Sequence, residues 1–191
     1  MLNLLYKNLP NIISSIRILM VPILLYLAII GQAGVFIIVL IFIELTDVLD
    51  GYLARRLQLV SELGAQLDSW GDFLVYSSMA LGAWLLWPDI LHQQQIYVVL
   101  MVACFTLPVL LALLKFKHFP SYHTMSTKIA VVVSIIAYIL LFTGIADWPF
   151  KIAVIFCLYA ALEAVLIILI SDNATLIDVK SIWHVIKNNK T

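Results

Sequence analysis

The sequence predicts an all-α integral membrane protein: six transmembrane helices with a short N-terminal cytoplasmic segment. Three observations carry this. Of 191 residues, 64% are hydrophobic and only 12% charged, against roughly 25% charged in an ordinary soluble domain, and mean hydropathy is +1.08. Apolar stretches recur at about the 20 residues needed to cross about 30 Å of hydrocarbon. Lysine and arginine lie almost wholly on one side of those stretches.

The spans read in order as residues 12–30, 35–55, 64–87, 96–114, 129–144 and 148–170. The first follows a polar Lys7-Asn8-Leu9-Pro10-Asn11 stretch and lacks a small-residue cleavage pattern, so it is expected to be a retained span rather than a signal peptide. Spans two and three are joined through Arg55 and Arg56, and spans four and five through Lys115, Lys117 and Lys128. Trp84, Trp87 and Trp148 gather at the opposite interface, where amphipathic rings are expected. A polar tail with Lys180, Lys187 and Lys190 follows span six. With Lys7 and Arg17, ten of the eleven basic residues fall on one side and only Lys151 on the other. Both termini are therefore expected in the cytoplasm, and the cell membrane of a bacterium is the expected location.

Cys104 and Cys157 both lie in apolar runs, which argues against a disulfide framework. The net charge of +0 says little beside the loop asymmetry. There is no sequence repeat, low-complexity tract or nucleic-acid motif, and one membrane domain accounts for residues 1–191.

Within this apolar chain, acids and small residues recur at helical spacing. At about 100° per residue, Asp47, Asp50, Gly51 and Ala54 fall at i, i+3, i+4 and i+7 on one helix face, and Gly64, Asp68 and Asp72 form a second stripe. Two such helices face to face would build an acidic cage beside a small-residue groove. The second span runs inward and the third outward, so the four acids lie toward the cytoplasmic part of the membrane. Acids at such depth are costly and mark functional sites. Four together repel unless cations neutralise them, and hard divalent ions are the natural partners of clustered carboxylates.

Two metals about 4 Å apart can clamp a phosphoryl centre. Gly51, Ala54 and Gly64 let a ligand approach the backbone, Arg55 can pair with phosphate through its planar fork, and a carboxylate beside the metals can deprotonate an attacking hydroxyl. Taken singly, Gly51 or Ala54 reads as a helix-packing contact, and Asp50 as a partner of Arg55 or Arg56. The four acids in this register read as a site.

The run D-x2-D-G-x2-A-R-x8-G-x3-D-x3-D over Asp47–Asp72 resembles the signature of the CDP-alcohol phosphatidyltransferases without a mismatch. The size, the six spans and the Pro10-to-Arg17 spacing followed by Pro22 are similar too. The resemblance implies transfer of a phosphatidyl group from a CDP-linked lipid to an alcohol, with release of CMP, in phospholipid biosynthesis. It implies two Mg²⁺ or Mn²⁺ ions held by Asp47, Asp50, Asp68 and Asp72, with Asp72 as the base for the acceptor hydroxyl. Asp47, Gly51, Ala54, Gly64 and Asp68 would line the cytidine diphosphate site, with Arg55 beside them. The family is commonly homodimeric, so a homodimer among membrane lipids is expected, with no nucleic-acid partner.

The acceptor is read outside the motif. Lys115, Lys117, His118, His123 and Lys128 are candidates for a cationic acceptor pocket, although for Lys115 and Lys117 positive-inside topology is the preferred reading. Lys128, beside Ser126 and Thr127, resembles a family lysine that serves acidic acceptors. Members that use glycerol 3-phosphate often carry Lys directly after the last motif aspartate, where this chain has Phe73, and span four lacks an internal Arg. Glu44, one turn before Asp47, is open to three roles: pairing with Arg17, lining the acceptor pocket, or sitting protonated. The rival class is a divalent metal-ion transporter or channel. Against it, the acids cluster at one depth, and spans four to six add only Glu163 as a further deep acid.

Overall fold

The computed structural model describes residues 9–57, 62–117 and 124–171, with backbone alone at 9–11, 50, 52–55, 62–63 and 65–66. His118, His123, Lys7 and the tail lysines lie outside the described residues. All regular structure within them is helical: α1 (Leu9–Ile29), α2 (Ala33–Arg56), α3 (Glu62–Leu86), α4 (Pro88–Gln93), α5 (Gln95–Phe116), α6 (Met125–Phe142) and α7 (Trp148–Ile170). These gather into two compact units, Met1–Pro88 and Asp89–Thr191.

In the first unit α1 packs against both α2 and α3. The buried stripes keep helical spacing: Val21, Leu24 and Ala28 on α1, Phe36, Leu40 and Ile43 on α2, Val75, Met79 and Ala83 on α3. Large apolar side chains also cover the outer faces, Leu19, Leu45 and Trp84 among them. A chain whose outside is as oily as its inside is built for lipid, where close van der Waals packing rather than hydrophobic burial joins helices. Buried hydroxyls return to their own helix, Ser78 Oγ donating to the Leu74 carbonyl at 2.7 Å, the usual way an apolar helix satisfies a serine. The α1–α2 turn is closed by Gly31 at φ +74°, with the Gln32 amide donating back to the Leu27 carbonyl at 2.9 Å.

In the second unit α7 packs against α5 and α6. Small residues line these contacts, Ala153, Cys157 and Ala160 on α7 with Ala130, Ser134 and Ala137 on α6, letting backbones approach closely. Ser134 Oγ donates to the Ala130 carbonyl at 2.6 Å and sits 3.0 Å from Cys157 Sγ. Gly144, at φ +74°, turns the chain after α6, and the Ile145 amide donates to the Leu140 carbonyl at 3.0 Å, a Schellman-type ending.

The sequence-read spans coincide with the six long helices to within four residues. The largest difference is at α6, which starts at Met125 rather than 129 because Thr124 caps it, its hydroxyl accepting from the Thr127 amide at 3.3 Å. The short α4 has no counterpart in the sequence reading; Pro88 at its start and Asp89 in its first turn fit a helix N-terminus. Four helical stretches are long and apolar enough to cross a membrane, Ile12–Ile29, Gln95–Phe116, Met125–Phe142 and Trp148–Ile170, making this a membrane protein. Helices α2 and α3, of 24 and 25 residues, have the length of spans and carry the motif acids.

Candidate acidic site of the first unit

Helices α2 and α3 are joined by a short connection, so the second half of α2 and the first half of α3 share one end of the unit. Asp47 lies nine residues before Arg56, and Asp68 and Asp72 lie six and ten after Glu62. At 1.5 Å per residue all three fall roughly 9–15 Å from their helix ends. One ligand atom from each of Asp47, Asp68 and Asp72 lies within 4.8 Å of the others. The carboxylates are partly accessible, at 32%, 35% and 28%.

What draws them together is Arg17 of α1, only 2% exposed. Its Nη1 pairs with Asp47 Oδ1, and its Nη2 lies 2.9 Å from Asp68 Oδ1 and 3.5 Å from Asp72 Oδ1. Nη2 also donates to the Asp68 main-chain carbonyl at 3.0 Å. The planar five-donor fork suits this, since one guanidinium can serve several carboxylates at once. Gly71, between Asp68 and Asp72, makes room: a Cβ there would lie 2.6 Å from Nη2 and 2.7 Å from Nε.

Sequence reasoning singled out Asp47, Asp68 and Asp72, and the structure brings them together. Asp50, Gly51, Ala54 and Arg55 all fall in the single helix α2, and Gly64 in α3 with Asp68 and Asp72, so the two stripes keep the expected register. Gly51 and Gly64 are half-buried, while the side chains of Asp50, Ala54 and Arg55 lie outside the described residues. Arg17 in contact with the acids, and Gly71 beneath it, were missed. The signal was available, because an arginine inside an apolar span must have a partner.

In the second unit Lys128 is exposed on the first turn of α6. Beside it the hydroxyls of Thr124, Ser126 and Thr127 form a chain, 2.7 and 2.9 Å apart around Thr124, and Ser126 donates to Glu163 of α7. Lys115 donates instead to the Ile168 and Leu169 carbonyls, at 2.8 and 3.0 Å.

Three converging carboxylates are a hard oxygen donor set of the kind that takes divalent cations. The carboxylates are partly accessible and one oxygen of each lies within 4.8 Å of the others, so the residues present fit a metal ion. A family profile described as CDP-alcohol phosphatidyltransferase matches residues 7–171. The chain belongs to that family. It is similar to the CDP-diacylglycerol–glycerol-3-phosphate 3-phosphatidyltransferase of Pseudomonas fluorescens, with 39% identity over 71 residues, 36% of each chain. The protein of the same name from Rickettsia typhi is 34% identical over 80 residues, 39% of this chain and 44% of that one. That from Aquifex aeolicus is 32% identical over 65 residues, 34% of this chain and 36% of that one. The matched segments thus span less than half the length of these relatives. No solved structure matches the chain.

Proposed function

We propose that the protein is a membrane transferase of phospholipid biosynthesis, moving a phosphatidyl group from a CDP-linked lipid to an alcohol and releasing CMP. The observation that carries this reading is the convergence of Asp47, Asp68 and Asp72 within a run that has the complete family spacing. Asp47, Asp50, Asp68 and Asp72 would hold two Mg²⁺ or Mn²⁺ ions, which when bound supply charge neutralisation for the diphosphate and for the attacking and leaving oxygens.

The chain's own residues do the rest. Asp72 takes the proton from the acceptor hydroxyl; that oxygen bonds to the lipid-bearing phosphorus as the bond from this phosphorus to its bridging oxygen breaks, and CMP departs. Gly51, Ala54 and Gly64, with missing or minimal side chains, leave the cytidine diphosphate a close approach to α2 and α3, and Arg55 stands one residue beyond Ala54 to pair with phosphate. Lys128 draws an acidic acceptor. The relatives' name makes glycerol 3-phosphate the first acceptor to try, and Phe73 after the last motif aspartate makes inositol, inositol phosphate, serine and choline the necessary comparisons.

The same reading takes residues 1–191 as one membrane domain with all six long helices crossing, both termini cytoplasmic, in a bacterial cell membrane and as a homodimer. The test is CMP release by purified protein in detergent with CDP-diacylglycerol, Mg²⁺ or Mn²⁺, and each acceptor in turn. Release with one acceptor, lost on chelation, is the expected result. No release with any of them, together with metal-dependent cation flux in vesicles, would replace the transferase with a transporter.

A further inference from the structure

We infer that Arg17 is a positioning residue, the resident cation of the acid cluster, whose guanidinium holds Asp47, Asp68 and Asp72 together in the metal-free protein and competes with metal ions for their oxygens. Gly71 is the clearance that lets it do so. The inference deepens the metal-dependent reading above and rests on it.

Three features of the geometry carry it. Helix α1 packs against both acid-bearing helices, and Arg17 on α1 reaches acids of each: Asp47 on α2, Asp68 and Asp72 on α3. An arginine 2% exposed is tolerable only where anions surround it, so its place is fixed by those carboxylates as much as theirs by it. Its Nη2 is also tied to the Asp68 main-chain carbonyl at 3.0 Å, a bond that does not use a carboxylate oxygen. The guanidinium can thus yield carboxylate oxygens to incoming ions while staying anchored beside them.

The placement has a consequence for metal binding. Guanidinium and divalent cations seek the same oxygens and repel one another, so Arg17 steadies the metal-free cluster at the expense of metal affinity. Without its charge, three acids repel in the metal-free protein, and metal ions restore more than they do in the wild type. A cation at free concentration c that binds only the folded state raises stability by RT ln(1 + c/Kd), so the difference is readable as a melting temperature.

The experiment uses full-length protein in detergent, stripped with chelator and titrated with MnCl₂. Thermal unfolding is followed by tryptophan fluorescence and bound Mn²⁺ by electron paramagnetic resonance. Arg17→Gln should melt lower than wild type without metal, gain a larger rise on adding Mn²⁺, and bind Mn²⁺ at least about tenfold more tightly, the least expected for removing a unit charge about 5 Å from a divalent ion. Gly71→Ala keeps the charge but pushes the guanidinium off the cluster, and should shift both readouts the same way by less. Arg17→Lys, with one point charge for three acids, should fall between wild type and Arg17→Gln. Equal Mn²⁺ affinity and equal rises in wild type, Arg17→Gln and Gly71→Ala, or weaker binding in the variants, would overturn the inference while leaving the metal reading intact. Absence of any Mn²⁺ binding in wild type would remove the metal reading and the inference with it. Should Arg17→Gln fail to fold, Gly71→Ala decides.

Discussion

Gly82 of α3 faces the Phe36 ring of α2 so closely that a Cβ at Gly82 would lie 2.6 Å from the ring's Cε2. Phe36 is fully buried and meets Trp87 edge-on, with centroids 6.1 Å apart. The ring therefore cannot retreat without disturbing a second aromatic, and the end of the unit away from the acids closes on this contact. Gly82→Ala should destabilise by about 1–3 kcal/mol, the usual cost of overpacking a filled core. Gly34 has nothing within 4 Å of its would-be Cβ, and Gly34→Ala should be neutral or slightly stabilising, since alanine is the better helix former. Thermal unfolding of the two variants in detergent checks the pair. Equal effects would mean that the Phe36 contact does not close the unit.

Lys115 was a candidate for an acceptor pocket, and the structure gives it different work. Its ammonium donates to the Ile168 and Leu169 carbonyls at the end of α7, groups that have no partner within their own helix and that favour a cation. Lys115→Met should lower stability by about 0.3–1 kcal/mol and leave the order of acceptor preference unchanged. A changed acceptor profile would return Lys115 to the pocket.

At the other end of the second unit, Lys151 Nζ lies 2.9 Å from Asp147 Oδ2, and the hydrogen bond and charge of Lys151 hold the Asp147 carboxyl below its usual range. A carboxyl depressed in the folded state stabilises above its unfolded pKa of about 3.9 and loses that contribution as pH falls through the folded value. Both groups are solvent-exposed, so the effect is small. Asp147→Asn should melt slightly below wild type at pH 7, and the gap should close below pH ~4, because only the wild type loses the ion pair as pH falls. Equal melting temperatures at neutral pH, or a gap that widens in acid, would mean that the pair does not stabilise the fold.

How much of this was legible in the sequence depends on whether a signal is local. The helix positions and the stripes of Asp47 to Ala54 and of Gly64 to Asp72 are properties of one helix at a time, legible from local composition and spacing. That Asp47 should meet Asp68 and Asp72 follows from a short connection between two antiparallel helices. Arg17 is different, because its partners are 30 or more positions away and its own helix carries no other charged residue. Counting it with the cytoplasmic cations explained its sign and hid its contact. Gly71 was invisible for a related reason: it sits between two motif acids, and only the position of a side chain from another helix reveals what its missing Cβ spares. Lys115 shows the converse, since a lysine at a helix end satisfies the positive-inside pattern whether it caps a neighbour or binds a ligand.

Asp72 tests the chemistry most directly, because two roles are assigned to it at once. As a metal-binding carboxylate it shares its work with Asp47 and Asp68, whose oxygens lie within 4.8 Å of its own, and the loss of one ligand among several can be offset by more metal. As the base it has no substitute: a carboxamide keeps the shape and a coordinating oxygen but cannot accept the hydroxyl proton. Asp72→Asn should lower CMP release by at least 10²–10⁴-fold, the usual contribution of a positioned base, while the folded protein still binds CDP-diacylglycerol. Raising Mn²⁺ should recover part of the activity of Asp47→Asn and none of that of Asp72→Asn. If excess Mn²⁺ restores both alike, Asp72 is a ligand only, and the proton must leave the acceptor by another group.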